Sequence, residues 1–111
     1  MNLEITLTED FKKDFKQLFK KYRSLVDDIE QLKEELLENP FEGIPLGKDC
    51  YKIRMAISSK NQGKSGGARV ITCVKIVDEK IYLIAIFDKS DMENIGDSEL
   101  NDRLDNIDGF S

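Results

Sequence analysis

The chain has 111 residues, which is enough for one compact domain and too few for two. Hydrophobic residues make up 40% of it, so a folded protein is expected rather than a disordered one. No apolar run approaches the roughly 20 residues of a membrane span, and the first residues are too polar for a secretory signal. We therefore expect a cytoplasmic protein without membrane contact. The sequence contains no histidine, which excludes every catalytic mechanism that needs an imidazole.

Charge is distributed unevenly along the chain, although the net charge is −5. Residues 48–75 carry seven basic groups and one acid, whereas the segments on both sides are net acidic. The local potential, and not the net charge, decides what an anionic ligand meets at a protein surface. The sequence therefore predicts a cationic functional surface within residues 48–75.

Cys50 and Cys73 are the two cysteines of the chain. In a chain without a secretory signal we expect free, partly buried thiols, and a disulfide or redox pair is the alternative. Since there is neither a histidine nor a cysteine cluster, the sequence shows no metal site, and we expect no cofactor.

The first part of the chain predicts a strand followed by a helical hairpin. Apolar and polar residues alternate over residues 3–7, which is typical of a half-buried strand. Thr8 is a candidate N-cap for a helix over residues 11–22. Ser24 is a candidate N-cap for a second helix, which ends before Pro40. The apolar residues of both segments follow helical spacing, so we expect the two helices to pack as a hairpin.

The rest of the chain predicts three strands and a short helical segment. Residues 41–47 are rich in glycine and proline and are expected to form a loop. Residues 51–57 alternate, with Lys52 and Arg54 on the face opposite the apolar residues. A glycine-rich basic loop follows at residues 58–68, then strands at 69–77 and 81–87. Ser90 begins a capping-box pattern that predicts a last helical start.

These elements predict one α+β domain over residues 1–111, in the order β-α-α-β-β-β-α. The sheet is expected to be mainly antiparallel, with the helical hairpin packed on one face. Residues 97–111 are acidic and are expected to form a mobile tail.

Three of the cations can share one sheet face. Lys52 and Arg54 are two residues apart on one strand, and Arg69 begins the next strand. We expect the sheet to present a cationic face opposite its core, and a solvated polar face without function is the alternative. The loop Gly-Lys-Ser-Gly-Gly-Ala-Arg at residues 63–69 is not a nucleotide-phosphate loop, because Ser58 replaces the first glycine and a strand follows instead of a helix.

Three blocks of the sequence resemble the RelE/ParE toxin superfamily, most closely its HigB-like branch: Tyr-Lys-Ile-Arg at 51–54, Gly-Lys-Ser-Gly-Gly-Ala-Arg-Val-Ile at 63–71 and Ile-Tyr-Leu-Ile-Ala-Ile-Phe-Asp-Lys-Ser at 81–90. The resemblance implies a toxin of a type II toxin–antitoxin system that cuts mRNA in the ribosomal A site. In that reaction a ribose 2′-OH attacks the adjacent phosphodiester. By position the resemblance implies catalysis by Lys52, Arg54, Arg69 and Lys89. Other cations are expected to bind the substrate, namely Lys48, Lys60 and Lys64.

The resemblance also implies partners. These are a cognate antitoxin, expected to be of the helix-turn-helix type, and the ribosome with its mRNA. Operator DNA would be contacted only through the antitoxin. The family's arginine after the last strand and its tyrosine in the terminal helix have no counterpart here, where Ser90 and Ile95 lie near those places. A ParE-like inhibitor of DNA gyrase and a degenerate toxin that only binds its antitoxin are the alternatives.

Overall fold

The computed structural model describes residues 2–107, and every element named below lies in that range. Strands are numbered β1 to β5 and α-helices α1 to α3, and a short 3-10 turn lies between β3 and β4. None of these helices is long and apolar enough to cross a membrane. The elements are β1 Glu4–Leu7, α1 Glu9–Phe19, α2 Leu25–Glu38, β2 Ile44–Gly47, β3 Cys50–Met55, the 3-10 turn Ser58–Lys60, β4 Ala68–Lys75, β5 Lys80–Asp88 and α3 Asp97–Asp105.

All five strands form one sheet in the order β1-β5-β4-β3-β2. β1 runs parallel to β5, and all other neighbours are antiparallel, which confirms the predicted fold class. The prediction of a loop over residues 41–47 is wrong for residues 44–47, which form the edge strand β2 beside β3. Pro45 is tolerated in β2 because an edge strand has one side on which no N–H is needed.

The helical hairpin of α1 and α2 covers one face of the sheet, as predicted. Thr8 caps α1, since its hydroxyl accepts a hydrogen bond of 3.2 Å from the Phe11 N–H. Ser24 precedes α2 but makes no capping bond, because it is itself in a helical conformation. Its hydroxyl donates instead to the Asp28 carboxylate at 2.9 Å. Both residues therefore occupy the predicted N-cap positions, but only Thr8 makes the side-chain capping bond.

A bulge in β5 changes which side chains face the hairpin. Ile71 pairs with Ala85 and Thr72 pairs with Leu83, so the register skips Ile84. Leu83 and Ile86 consequently belong to the core under the hairpin, although they are three residues apart. A regular strand would place residues of the same face two apart. The bulge also turns Asp88, at the end of β5, towards the turn between α1 and α2, where Tyr22 lies.

The last helix lies on the other face of the sheet. Leu100, Leu104 and Ile107 pack there against a second apolar cluster that includes Ile71 and Phe87. The prediction of a helix start at Ser90 is wrong, because α3 begins at Asp97 with Gly96 as its N-cap.

Residues 89–96 cross the end of the sheet as turns and irregular chain. No helix directly follows Ser90, and its hydroxyl donates to Asp88 at 2.8 Å. Part of the predicted mobile tail, residues 97–105, is α3. The mobility of this tail stays a prediction, and its residues 108–111 lie outside the described residues.

Candidate functional site

Residues 56–67, which we call the basic loop, project from the end of the sheet where β3 ends and β4 begins. Met55, Ala68 and Asp88 lie side by side in the register of β3, β4 and β5. The Lys89 N–H donates to the Gly67 carbonyl at 3.0 Å. A Cβ atom at Gly67 would lie 2.2 Å from the Met55 carbonyl oxygen, so only glycine fits there. The C-terminal end of the basic loop therefore packs directly against the end of β3.

Asp28 of α2 holds the entrance of the basic loop. Its carboxylate is buried and accepts hydrogen bonds from the Ser58 N–H, at 2.9 Å, and from the Ser58 hydroxyl. The Ser24 hydroxyl donates to the same carboxylate. Hydrogen bonds to a charged acceptor are stronger than neutral ones, so this contact fixes the 3-10 turn onto the helical hairpin.

A second buried carboxylate, that of Asp88, holds the middle of the basic loop. Its oxygens accept hydrogen bonds from the Lys60 ammonium at 2.9 Å, the Tyr22 hydroxyl at 2.8 Å and the Ser90 hydroxyl at 2.8 Å. Burial alone would raise the pKa of Asp88, but the hydrogen bonds from Ser90, Lys60 and Tyr22 outweigh it and hold that pKa well below its usual range. Lys60, expected to bind substrate, is thus engaged in a buried ion pair with Asp88.

The buried Arg69 side chain fixes the tip of the basic loop through hydrogen bonds to backbone carbonyls. Only 2% of it is exposed, and its guanidinium donates to the carbonyls of Lys64, Ala68 and Ser65 at 3.1 to 3.2 Å. Its Nε lies 3.5 Å from a carboxylate oxygen of Glu93. Arg69, expected to take part in catalysis, therefore directs the donors of its two terminal nitrogens towards the chain's own carbonyls in this conformation.

Three of the predicted cations are exposed around this loop. Arg54 lies directly opposite Arg69 in the register of β3 and β4, Lys64 lies in the loop, and Lys89 follows β5. Arg54 and Lys64 also line one small cleft beside α2. Adjacent strands are about 4.8 Å apart, so the backbones that carry Arg54 and Lys89 are separated by about 10 Å. The exposed cluster can therefore meet neighbouring phosphates of one nucleic-acid strand.

The other two predicted cations differ in their position. Lys52 is half-buried, and its ammonium donates to the Glu93 carbonyl at 3.3 Å and to the Asn94 side chain. It therefore lies at the edge of the cluster, under residues 89–96. Lys48 contacts Asn101 of α3 at the opposite end of β3. It lies in the turn before β3, and the strand from Cys50 to Arg54 alone spans about 13 Å, so Lys48 is not part of the cluster.

The prediction that the sheet face opposite the core is cationic is wrong over much of the sheet. That face carries a second apolar core, which α3 covers, with the buried members Cys50, Ile71, Cys73, Tyr82, Ile84, Ala85, Phe87, Leu100, Leu104 and Ile107. The cations gather only at the end of the sheet that carries the basic loop. The periodicity of β3 did not reveal this, because β4 and β5 are apolar on both faces.

Sequence reasoning missed a second basic surface on α1 and the turn that follows it. We call it the α1 basic stripe, and it consists of the exposed residues Lys12, Lys13, Lys16, Lys20, Lys21 and Arg23. Asp14, the acid in the middle of α1, is turned away from it and pairs with Arg103 of α3 at 2.6 Å. The first 47 residues are net acidic, and this sum concealed the stripe. The i, i+4 spacing of its lysines was the available signal.

The comparisons with known proteins agree with this architecture. A family model described as the RelE toxin of the RelE/RelB toxin–antitoxin system matches residues 4–106, which include every strand and helix described above. The structure of the E. coli toxin RelE in the free state, a mutant with two arginines replaced by alanine, is similar with a TM-score of 0.61 and 24% sequence identity, over 94% of this chain and 99% of that one. No curated protein matches. The chain belongs to the RelE toxin family of toxin–antitoxin systems.

Proposed function

We propose that this toxin inhibits translation by cutting mRNA in the ribosomal A site, and that it belongs to the HigB-like branch. The observation that carries the proposal is the cluster of Arg54, Lys64 and Lys89, exposed around a loop that two buried carboxylates hold in place. Positive groups that are fixed before the substrate arrives stabilise developing negative charge without reorganising during the reaction.

The proposed reaction is attack of a ribose 2′-OH on the neighbouring phosphodiester. Its transition state carries extra negative charge on the phosphoryl oxygens, which Arg54 can engage with two parallel N–H donors. Lys64 and Lys89 add compact positive charges on either side. Lys52 and Lys89 are the candidates for proton transfer to or from the ribose oxygens.

Arg69 and Lys60 contribute to the proposed mechanism mainly by fixing the conformation of the basic loop. Arg69 holds the carbonyls of Lys64 and Ser65, so it sets the position of the Lys64 side chain while adding positive charge beneath it. A direct bond from Arg69 to a phosphate requires the loop carbonyls to release the guanidinium. Lys60 supports the loop through Asp88. Lys48, proposed from the sequence to bind substrate, could contact only a distant part of it.

The α1 basic stripe fits the proposed ribosomal target. It lies on the helical hairpin, outside the basic loop, so it can contact ribosomal RNA while the loop meets mRNA. Binding through several lysines predicts a strong dependence on salt concentration. The proposed partners further include a cognate helix-turn-helix antitoxin, through which operator DNA is contacted, and the proposed location is the cytoplasm.

The test is induced expression of the wild type, of a double variant with Arg54→Ala and Lys64→Ala, and of Lys80→Ala as control. Lys80 pairs with Glu4 at the far end of β5, so its loss changes the charge without touching the loop. We expect growth arrest and new mRNA 5′ ends at A-site codons for the wild type and Lys80→Ala, and neither for the double variant.

Three results would contradict the proposal. Intact mRNA with DNA breaks would indicate a gyrase inhibitor. A wild type that binds its antitoxin but causes neither arrest nor cuts would indicate a degenerate toxin. A correctly folded double variant that cuts as fast as the wild type would remove Arg54 and Lys64 from the mechanism.

A further inference from the structure

Cys50 and Cys73 form a buried thiol pair outside the functional site. They are direct cross-strand partners in β3 and β4, and they are 1% and 0% exposed. Both thiols donate to one acceptor, the Lys48 carbonyl, with S···O distances of 3.4 and 3.7 Å. Two cysteines that share an acceptor have their sulfur atoms on the same side of the sheet.

The strand register brings the two residues as close as a disulfide requires. The Val74 N–H donates to the Asp49 carbonyl at 2.9 Å, so Asp49 and Val74 are a hydrogen-bonded pair. The next pair, Cys50 and Cys73, is then of the non-hydrogen-bonded type, with a Cα separation of about 4.5 Å. Disulfides span Cα separations from about 4.4 to about 6.8 Å, so this separation lies within the range that a disulfide can bridge.

The two thiols also differ in reactivity. Their mutual contact lowers the pKa of Cys50 and raises that of Cys73. The thiolate is the reactive form of cysteine, so Cys50 is the better nucleophile and Cys73 the better resolving group.

We propose that Cys50 and Cys73 are a reversible redox site, which closes to an intrachain disulfide in exchange with a small disulfide oxidant of the glutathione class. The Cys50 thiolate attacks one sulfur of the oxidant, forms a mixed disulfide and releases one thiolate. Cys73 then gives up its proton, attacks the Cys50 sulfur and releases the second thiol. Two protein thiols are oxidised, and the oxidant's S–S bond is reduced to two thiols.

The structure also indicates what oxidation changes. The bond would link β3 to β4 at the end of the two strands that is remote from the basic loop. The Lys48 carbonyl would lose both S–H donors. Lys48 and Asp49 form a turn in which both have positive φ, 56° and 63°, a conformation that is costly for residues other than glycine. Without these donors the turn is less well held, and Lys48 is the residue that contacts α3. Cytoplasmic disulfides that form reversibly are usually sensors or catalysts, which suits this arrangement.

The experiment equilibrates the purified protein with mixtures of oxidised and reduced glutathione, with and without urea below the unfolding transition, so that burial does not hide the equilibrium. After an acid quench and denaturation, free thiols are alkylated and the intact mass and peptides are measured. We expect one transition to a species that lacks two hydrogens and yields a peptide linking Cys50 to Cys73. Dithiothreitol should reverse it.

Single variants test the order of the two steps. Cys73→Ser should stop at a glutathione adduct on Cys50, whereas Cys50→Ser should leave Cys73 free and alkylatable. The proposal is overturned if the wild type keeps both thiols alkylatable at every ratio, or if it stops at a glutathione adduct without forming the internal bond.

Discussion

The ammonium of Lys60 lies 2.9 Å from the carboxylate of Asp88, with 11% and 0% of the two side chains exposed. The pair joins the end of β5 to the basic loop. Tyr22, from the turn between the two hairpin helices, donates to the same carboxylate. A single buried charge therefore holds together the sheet, the hairpin and the loop that carries Lys64, so the stability of the fold and the geometry of the site depend on the same interaction.

Replacing Asp88 by asparagine should destabilise the protein. Asp88→Asn removes the negative charge and leaves the largely buried Lys60 ammonium without its partner, which should lower the free energy of unfolding by about 2–4 kcal/mol. Urea unfolding of the two proteins measures this difference in the free energy of unfolding. Asp78→Asn, in the exposed turn between β4 and β5, is the control and should change stability by less than about 0.5 kcal/mol. Equal effects of the two variants would show that the buried pair contributes nothing specific.

The contribution of Asp88 should also depend on pH. Its pKa is held below the usual value in the folded protein, so the unfolded chain binds a proton first as the pH falls. Its stabilisation is complete above the unfolded pKa, about 3.9, and is lost as the pH falls through the folded pKa. We expect the gap between the wild type and Asp88→Asn to be largest above pH ~5 and to shrink below pH ~4. A gap that stays constant down to acid unfolding would contradict the assignment.

Gly67→Ala should displace the basic loop. The added Cβ would lie 2.2 Å from the Met55 carbonyl oxygen, and the next nearest atoms, the Ala56 Cα and the Ile57 nitrogen at 2.9 Å, are also backbone and cannot easily move. A loss of about 1–3 kcal/mol in unfolding free energy is expected from such a clash, together with faster hydrogen exchange in residues 58–67. Gly96→Ala is the control for the steric clash, since nothing lies within 4 Å of a Cβ there and the φ of −72° suits alanine; because Gly96 is the N-cap of α3, this change should itself cost less than about 1 kcal/mol and leave the loop unaffected. Similar results for the two variants would mean that the loop has room to move.

Arg69→Ala should abolish most of the proposed activity. It removes a positive charge beneath the loop and frees the carbonyls of Lys64 and Ser65, so RNA cleavage should fall on the order of 10²–10³. Ribosome-dependent cleavage of a defined mRNA measures the rate. Hydrogen exchange of the loop separates the causes: a loss of activity with an ordered loop indicates direct contact with RNA, and a loss with a disordered loop indicates positioning. Unchanged cleavage by a folded variant would count against both roles.

Local patterns predicted much of this fold and part of the site. The alternation in β1 and β3, the helical spacing of α1 and α2 and the Thr8 cap all follow from neighbouring residues, and the structure confirms each of them. Lys52, Arg54 and Arg69 were expected on neighbouring strands, and the register pairs Arg54 with Arg69. The edge strand β2 was missed because Gly43, Pro45 and Gly47 favour turns locally. Pairing with β3 outweighs that preference.

The sequence alone therefore determined most of the strands and helices, namely β1, α1, α2, β3, β4 and β5, and much of where positive charge is concentrated, because periodicity and composition act over a few residues. Which cations are free was decided only by tertiary structure. The bulge at Ile84 orients Asp88 towards Lys60, with which it forms an ion pair. The loop carbonyls accept the hydrogen bonds of the Arg69 guanidinium, and α3 covers the sheet face beyond Lys52. The Lys60–Asp88 pair and the packing of α3 join residues distant in the chain and depend on strand register. The Arg69 bonds lie within five residues but depend on how the loop folds back onto β4. Neighbouring residues therefore carry no signal that distinguishes Lys60, held in a buried ion pair, from the exposed Lys64.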